Sequence, residues 1–283
     1  MADAGKYGIL LFGGDGGPSR GRLNDTWLWD GTNWIEQKPA SAPPARIATS
    51  MVYDPGSQTV VLFGGVNAEG LGLADTWLWD GTEWSEQKID TAPSPRADAN
   101  MVYDAANRVV LLFGGEGPDG SLDDTWVWNG KTWTQLAPPT SPTKRSQASI
   151  AYDAVRQNVL LLGGSNGGPL GDMWAWDGQT WTEQHPALLP SARELAAMAF
   201  DENLQQIVLF GGDSAVGPLT DTWILHDASW LQRPVETTLT VSTKSFMIFS
   251  SSLHSLLLFD PSISGEAIWK WDGMMWAKYY SGG

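Results

Sequence analysis

One pattern, Asp-Thr-Trp-x-Trp-Asp-Gly-x-x-Trp, is written repeatedly along this chain of 283 residues. It reads Asp25-Thr26-Trp27-Leu28-Trp29-Asp30-Gly31 with Trp34, then Asp75-Thr76-Trp77-Leu78-Trp79-Asp80-Gly81 with Trp84. It returns at Asp124 with Trp126, Trp128 and Trp133, and at Asp172 with Trp174, Trp176 and Trp181. Looser copies carry Asp221, Trp223 and Trp230, and Trp269, Trp271 and Trp276. All 17 tryptophans fall in these six blocks, so the aromatic content belongs to the repeat and not to a single binding site. A period of this length fixes the architecture before any single motif is read, because one such unit cannot bury its own apolar faces.

Two further anchors share the period. A strand end before each block reads Phe12-Gly13-Gly14, Phe63-Gly64-Gly65, Phe113-Gly114-Gly115, Leu162-Gly163-Gly164 and Phe210-Gly211-Gly212, then Phe259-Asp260-Pro261. An arginine opens the segment before it at Arg46, Arg96, Arg145 and Arg193, and each such segment ends in a Met-Val-Tyr-Asp-like run. One repeat therefore predicts four strands. Strand A resembles Thr49-Ser50-Met51-Val52-Tyr53, and strand B is Val60-Val61-Leu62-Phe63. Strand C is Thr76-Trp77-Leu78-Trp79, and a tight Asp-Gly turn leads to strand D around Trp84. No segment shows sustained helical periodicity, and the whole reads as all-β.

Four strands per ~50 residues, with a double glycine after the second and tryptophans in the third and fourth, resemble kelch repeats. The wording is similar to bacterial kelch proteins and, more loosely, to the propeller of galactose oxidase and to plant specifier proteins. The resemblance implies a six-bladed kelch-type β-propeller filling residues 1–283 as one domain. The blades are expected near 1–39, 40–89, 90–138, 139–187, 188–235 and 236–283. Asp3 precedes Phe12 as Asp54 precedes Phe63, which leaves almost no room for strand A in blade 1. Blade 1 is expected to lack that innermost strand. A longer native chain, or a strand supplied by another chain, would also answer the shortage.

Composition narrows the partners. The formal net charge is −15, which repels nucleic acid and anionic lipid and favours basic or neutral partners. The chain has no cysteine, hence no disulfide or thiolate chemistry. The Tyr–Cys cofactor of galactose oxidase cannot form, and the Glu-x-x-x-Asp-x-x-x-His iron signature of plant specifier proteins is absent. The three histidines do not converge in this register, so neither a cofactor nor a metal is expected. Met1 to Lys6 carry no signal-peptide pattern, and no apolar run approaches the length of a membrane helix. The expectation is a soluble, cytoplasmic monomer.

Within the repeat, A–B and C–D turns leave on one face and are nearly identical. The B–C and D–A loops leave on the other and vary, most in segments 15–24, 66–74, 116–123, 165–171, 213–220 and 260–267. Sites on a rigid scaffold usually occupy such loops. The residue after Gly-Gly is Asp15, Val66, Glu116, Ser165 or Asp213, so three acids fall on alternate blades. Asp15, Glu116 and Asp213 are the acid/base candidates if the protein is an enzyme. They could instead accept loop hydrogen bonds or pair with arginines.

Arg46, Arg96, Arg145 and Arg193 lie on the same face, with Ser242 at the matching place in the sixth repeat. The resemblance to mammalian kelch adaptors implies that arginines here can bind acidic peptides. Their regularity equally suits bracing of the D–A loops. Two positions further on stand Ala48, Asp98, Gln147, Leu195 and Lys244, beside Ile47, Ala97, Ser146, Glu194 and Thr243. A scaffold that holds while these residues change has the pattern of a site lining. Asp98, Gln147, Glu194 and Lys244 are the polar contacts it offers, together with the four arginines. The function expected is binding of a small molecule or peptide at a channel mouth built from the B–C and D–A loops. A cofactor-free cyclase, lyase or isomerase, and a structural interaction module from a longer chain, are the alternatives, and whether the protein is an enzyme stays open.

Overall fold

A computed structural model describes residues 1–227, 229–234, 245–260 and 267–281. Six four-stranded antiparallel sheets, each ordered A-B-C-D, are the blades of a β-propeller fold. Blade 2 is representative, with strands Ser50–Asp54, Thr59–Phe63, Thr76–Trp79 and Trp84–Gln87. The only helical element among the described residues is the 3-10 turn Gly5–Tyr7, and no helix is long and apolar enough to cross a membrane. The chain forms two compact units, blades 1 to 3 in the first and blades 4 to 6 in the second.

Blade 1 does have an innermost strand, which corrects the sequence expectation. Ala2–Asp3 pairs with Leu10 and Ile9. The 3-10 turn, closed by Ala4 N–H on the Gly8 carbonyl at 2.7 Å, reverses the chain quickly enough for two residues to reach the pairing edge. Gly5 and Gly8 take positive φ there, as a turn this tight requires.

Turns are set by carboxylates. Asp54 ends strand A and accepts the Gly56 N–H and the Ser57 hydroxyl, both at 2.8 Å. In blade 1 the Asp-Gly connection between strands C and D is a four-residue turn, 30–33. Asp30 Oδ1 accepts the Thr32 and Asn33 N–H groups at 2.8 Å, which pulls its carboxyl below the usual range, with the Asn33 bond contributing most. Gly81 in blade 2 has φ 101°, and a Cβ there would meet the Tyr7 ring at 2.3 Å.

The core lies in layers between neighbouring blades of each unit. Val60, Leu62, Trp77, Trp79 and Trp84 of blade 2 pack on Leu10 and Phe12 of blade 1. Val208, Phe210 and Ile224 of blade 5 pack on Leu256, Leu258, Trp269 and Trp276 of blade 6. The three tryptophans that five of the six blocks carry divide this work. In the first five blocks the first donates its indole N–H to the block's own aspartate, as Trp77 does to Asp75 at 2.7 Å. The second and third pair as tilted rings across the C–D hairpin, 5.4 Å apart for Trp79 and Trp84. The third also reaches the preceding blade. Trp84, Trp133 and Trp276 donate to the hydroxyls of Thr26, Thr76 and Thr222 at 3.0, 3.0 and 3.1 Å. In blade 4 Met173 replaces that threonine, and Trp230 points its N–H at the Met173 sulfur, 3.3 Å away.

Trp133→Phe and Trp230→Phe remove the same ring volume but different acceptors. A neutral hydrogen bond contributes about 0.5–1.5 kcal/mol and a thioether is the weaker acceptor. Urea midpoints should therefore fall further for W133F than for W230F. Equal losses, or a larger loss in W230F, would show that the hydroxyl acceptor contributes nothing.

Candidate functional site

The face carrying the B–C and D–A loops is organised by the arginines that open strand A in blades 2 to 5, Arg46, Arg96, Arg145 and Arg193. The main chain of each belongs to the preceding blade. Arg46 N–H donates to the Leu23 carbonyl at 3.0 Å, and the Arg46 carbonyl accepts the Gly14 N–H at 3.0 Å. Arg96 repeats this with Leu73 and Gly65 at 3.1 and 2.8 Å. Arg145 does so with Leu122 and Gly115, and Arg193 with Leu170 and Gly164, all at 2.9 Å. This contact explains the double glycine. A Cβ on Gly64, Gly114 or Gly163 would stand 2.6, 2.5 or 2.3 Å from the carbonyl oxygen of Arg96, Arg145 or Arg193.

The side chain belongs to the arginine's own blade. Arg46 is fully buried at 0 % exposure and grips Asp75 with two hydrogen bonds of 2.6 Å. It also donates to the Gly64 and Pro44 carbonyls at 2.9 Å. Arg96 holds Asp124 at 2.5 and 2.8 Å, and Arg193 holds Asp221 at 2.8 and 2.9 Å. Burial alone would raise these three carboxyls. The arginine bonds and charge, with the neighbouring indole N–H, outweigh it and hold all three below the ordinary aspartate range. Arg145 is likewise buried and donates to the Thr143 carbonyl and hydroxyl at 3.0 Å. The four arginines, for which the sequence offers both ligand contact and bracing of the D–A loops, are buried, with Arg46, Arg96 and Arg193 held to aspartates of their own blades.

Sequence reasoning placed the acids after Gly-Gly as possible arginine partners, and the structure gives that role to the first aspartate of the tryptophan block. A signal for it was present. The sixth repeat loses both members together, with Ser242 in the arginine's place and Ala267 in the aspartate's.

Next to the arginines, the main chain stitches neighbouring blades together. Ile47 pairs with Val66, Ala97 with Glu116, and Glu194 with Asp213 as antiparallel bridges. The varied positions Ala48, Asp98, Gln147 and Leu195 all occupy the left-handed region, with φ of 54, 48, 56 and 58°. This conformation is costly for residues with a Cβ and persists only where the surroundings hold it. Here the Asp98 N–H donates to the Ala48 carbonyl at 3.0 Å, and the Leu195 N–H to the Gln147 carbonyl at 2.9 Å. Backbone is thus constant where side chains differ most.

The acids sit on this frame. Asp15 is exposed, accepts the Gly17 N–H at 2.9 Å and pairs with Arg22 at 3.1 Å. Both line an open hollow of about 400 Å³ with Pro18 and Ala68. Glu116 is exposed on an extended B–C hairpin and accepts the Ser121 hydroxyl at 2.8 Å. Asp213 and Glu194 are half-buried partners exchanging main-chain bonds of 2.9 and 2.8 Å. Lys244 and the loop at 261–266 lie outside the described residues.

The buried pairs set stability. Removing one partner of a buried ion pair costs about 3–5 kcal/mol, so Arg96→Ala should lower the denaturation midpoint by that equivalent. Asp124 ionises below its unfolded value of about 3.9. Its contribution is full above that value and is lost as pH falls through the folded pKa. Denaturant midpoints followed into acid should therefore fall less steeply in Asp124→Asn than in the parent chain. A steeper acid dependence in the variant would contradict this assignment.

No curated protein matches the chain. A family model, the KLHDC2/KLHL20/DRC7 Kelch-repeats domain, matches residues 2–186. With that match over most of its length and the blade architecture above, the chain belongs to the kelch-repeat family, whose propellers serve as binding and interaction modules.

Proposed function

We propose that the protein is a monomeric, cytoplasmic binding module that takes a small molecule or peptide bearing a basic group, through the B–C and D–A loops. The observation that carries this reading is the bridge between Glu194 and Asp213, which pairs two half-buried acidic residues directly opposite each other on the main chain. Paired residues of an antiparallel bridge have Cβ atoms about 4.5–5.5 Å apart, a spacing that suits one ammonium or guanidinium group. Asp98 and Glu116 offer further acids on the corresponding face of the first unit. The overall charge of −15 adds attraction for a cationic partner.

Thermal-shift screening of metabolites and short peptides, with and without lysine or arginine, tests the reading. Basic ligands should stabilise the protein, and salt should weaken them. Glu194→Gln combined with Asp213→Asn should weaken binding by about tenfold or more, the loss expected for a charge-assisted pair. Hits confined to neutral or acidic ligands, or basic hits indifferent to the double substitution, would overturn it.

A further inference from the structure

The turns of blades 5 and 6, on the face that looks uniform in sequence, depart from those of blades 2, 3 and 4. A hollow of about 460 Å³ opens there in the second unit, lined by Leu204, Gln206, Ile224, His226, Leu231, Arg233, Asp272, Gly273 and Met274. Three of these positions are polar in blades 2, 3 and 4. Leu204 stands where those blades have Ser57, Asn107 and Arg156, and Leu231 where they have Ser85, Thr134 and Thr182. Met274 stands in the place of Thr82, Lys131 and Gln179. Leu204, Leu231 and Met274 are 44, 50 and 67 % exposed. His226 replaces the turn aspartate of Asp30, Asp80, Asp177 and Asp272. Isolated exposed apolar residues are ordinary, but these converge on one concavity.

Two polar donors lining this hollow have no partner among the described residues. Gln206 is 6 % exposed, and its Nε2 is buried without a hydrogen bond. The Nε of Arg233 is also buried and unbonded. Among the described residues Arg233 makes one side-chain bond, from Nη2 to the Gly273 carbonyl at a long 3.4 Å, and no described carboxylate lies within ion-pair distance of it. Arg233 is itself a departure, because Gln37, Gln87 and Gln184 occupy its position in blades 1, 2 and 4. Asp272 also lines the hollow, and its Oδ1 already accepts the Met274 and Met275 N–H groups at 2.8 Å. Leaving a buried donor unsatisfied is costly, and a guanidinium with a free Nε–H edge matches a carboxylate held by two parallel bonds.

We propose that this hollow is a binding site for a small carboxylate on an apolar body, with Arg233 and Gln206 holding the carboxylate and Leu204, Ile224, Leu231 and Met274 covering the body. It is separate from the acidic B–C and D–A face and has the opposite charge preference. Octanoate and 3-phenylpropanoate are the probes, with octanamide as the control that keeps the body and loses the charge.

Binding is read from the Met274 methyl resonance in protein carrying ¹³C-methyl methionine, assigned by Met274→Leu. Octanoate should shift that resonance saturably, and octanamide should bind at least tenfold more weakly. Arg233→Gln restores the residue that other blades carry at this position, so it should fold while losing octanoate affinity at least tenfold. Gln206→Leu should also weaken octanoate, and circular dichroism confirms that both variants remain folded. No saturable shift at 10 mM octanoate or 3-phenylpropanoate, equal binding of octanamide, or unchanged affinity in folded Arg233→Gln would overturn the proposal. Success or failure here is independent of whether basic ligands bind the opposite face.

Discussion

The structure depends on one arginine used twice. Its backbone completes hydrogen bonds of the preceding blade, and its guanidinium closes on an aspartate of its own blade, as Arg46 does between Leu23, Gly14 and Asp75. Burying a lone guanidinium would cost several kcal/mol. Full burial is tolerated because the carbonyls and carboxylate around it satisfy its donors in a geometry that matches the planar fork. The glycines follow from it, since the arginine carbonyl occupies the space in which a Cβ would sit.

The tryptophan block extends the same economy outward. The aspartate that holds the arginine also holds the first indole, so charge satisfaction and ring orientation share one acceptor, as at Asp75 with Arg46 and Trp77. The third tryptophan stacks within its blade and donates to the blade before it. The junctions between blades 1 and 2 and between blades 2 and 3 are thus bound at the loop end by arginine backbone and further out by an indole–hydroxyl bond. Apolar layers fill the space between, giving the nearest-neighbour stability typical of repeat proteins.

A scaffold fixed in this way leaves side chains free where the backbone is already determined. Ala48, Asp98, Gln147 and Leu195 share one strained conformation while differing in size and charge. Asp213 and Glu194 are adjacent because of main-chain pairing, and no attraction between them is required. The opposite face shows the same logic where blades 5 and 6 exchange polar turn residues for Leu204, Leu231 and Met274 around Arg233. The two faces thereby offer contrasting chemistry, acids on one and, on the other, a cation with no carboxylate partner among the described residues.

The sequence by itself determined the blades. Spacing of the Phe-Gly-Gly ends, the alternation through Trp77 and Trp79, and the Asp-Gly turns are local properties, and they specify strands and turns without reference to anything distant. The varied positions were also legible, because variation between repeats is visible within one chain. Only the tertiary structure decided what the arginines do. Arg46 and Asp75 are 29 residues apart, and nothing local distinguishes a buried brace from a ligand-binding guanidinium. The same holds for the turn at 30–33, whose length depends on the Trp29–Trp34 pairing, and for strand Ala2–Asp3, which exists because a 3-10 turn shortens the path to its partner. The hollow beside Arg233 was hidden for a related reason. Its walls come from four separate turns and strand ends of two blades, and packing alone brings them together.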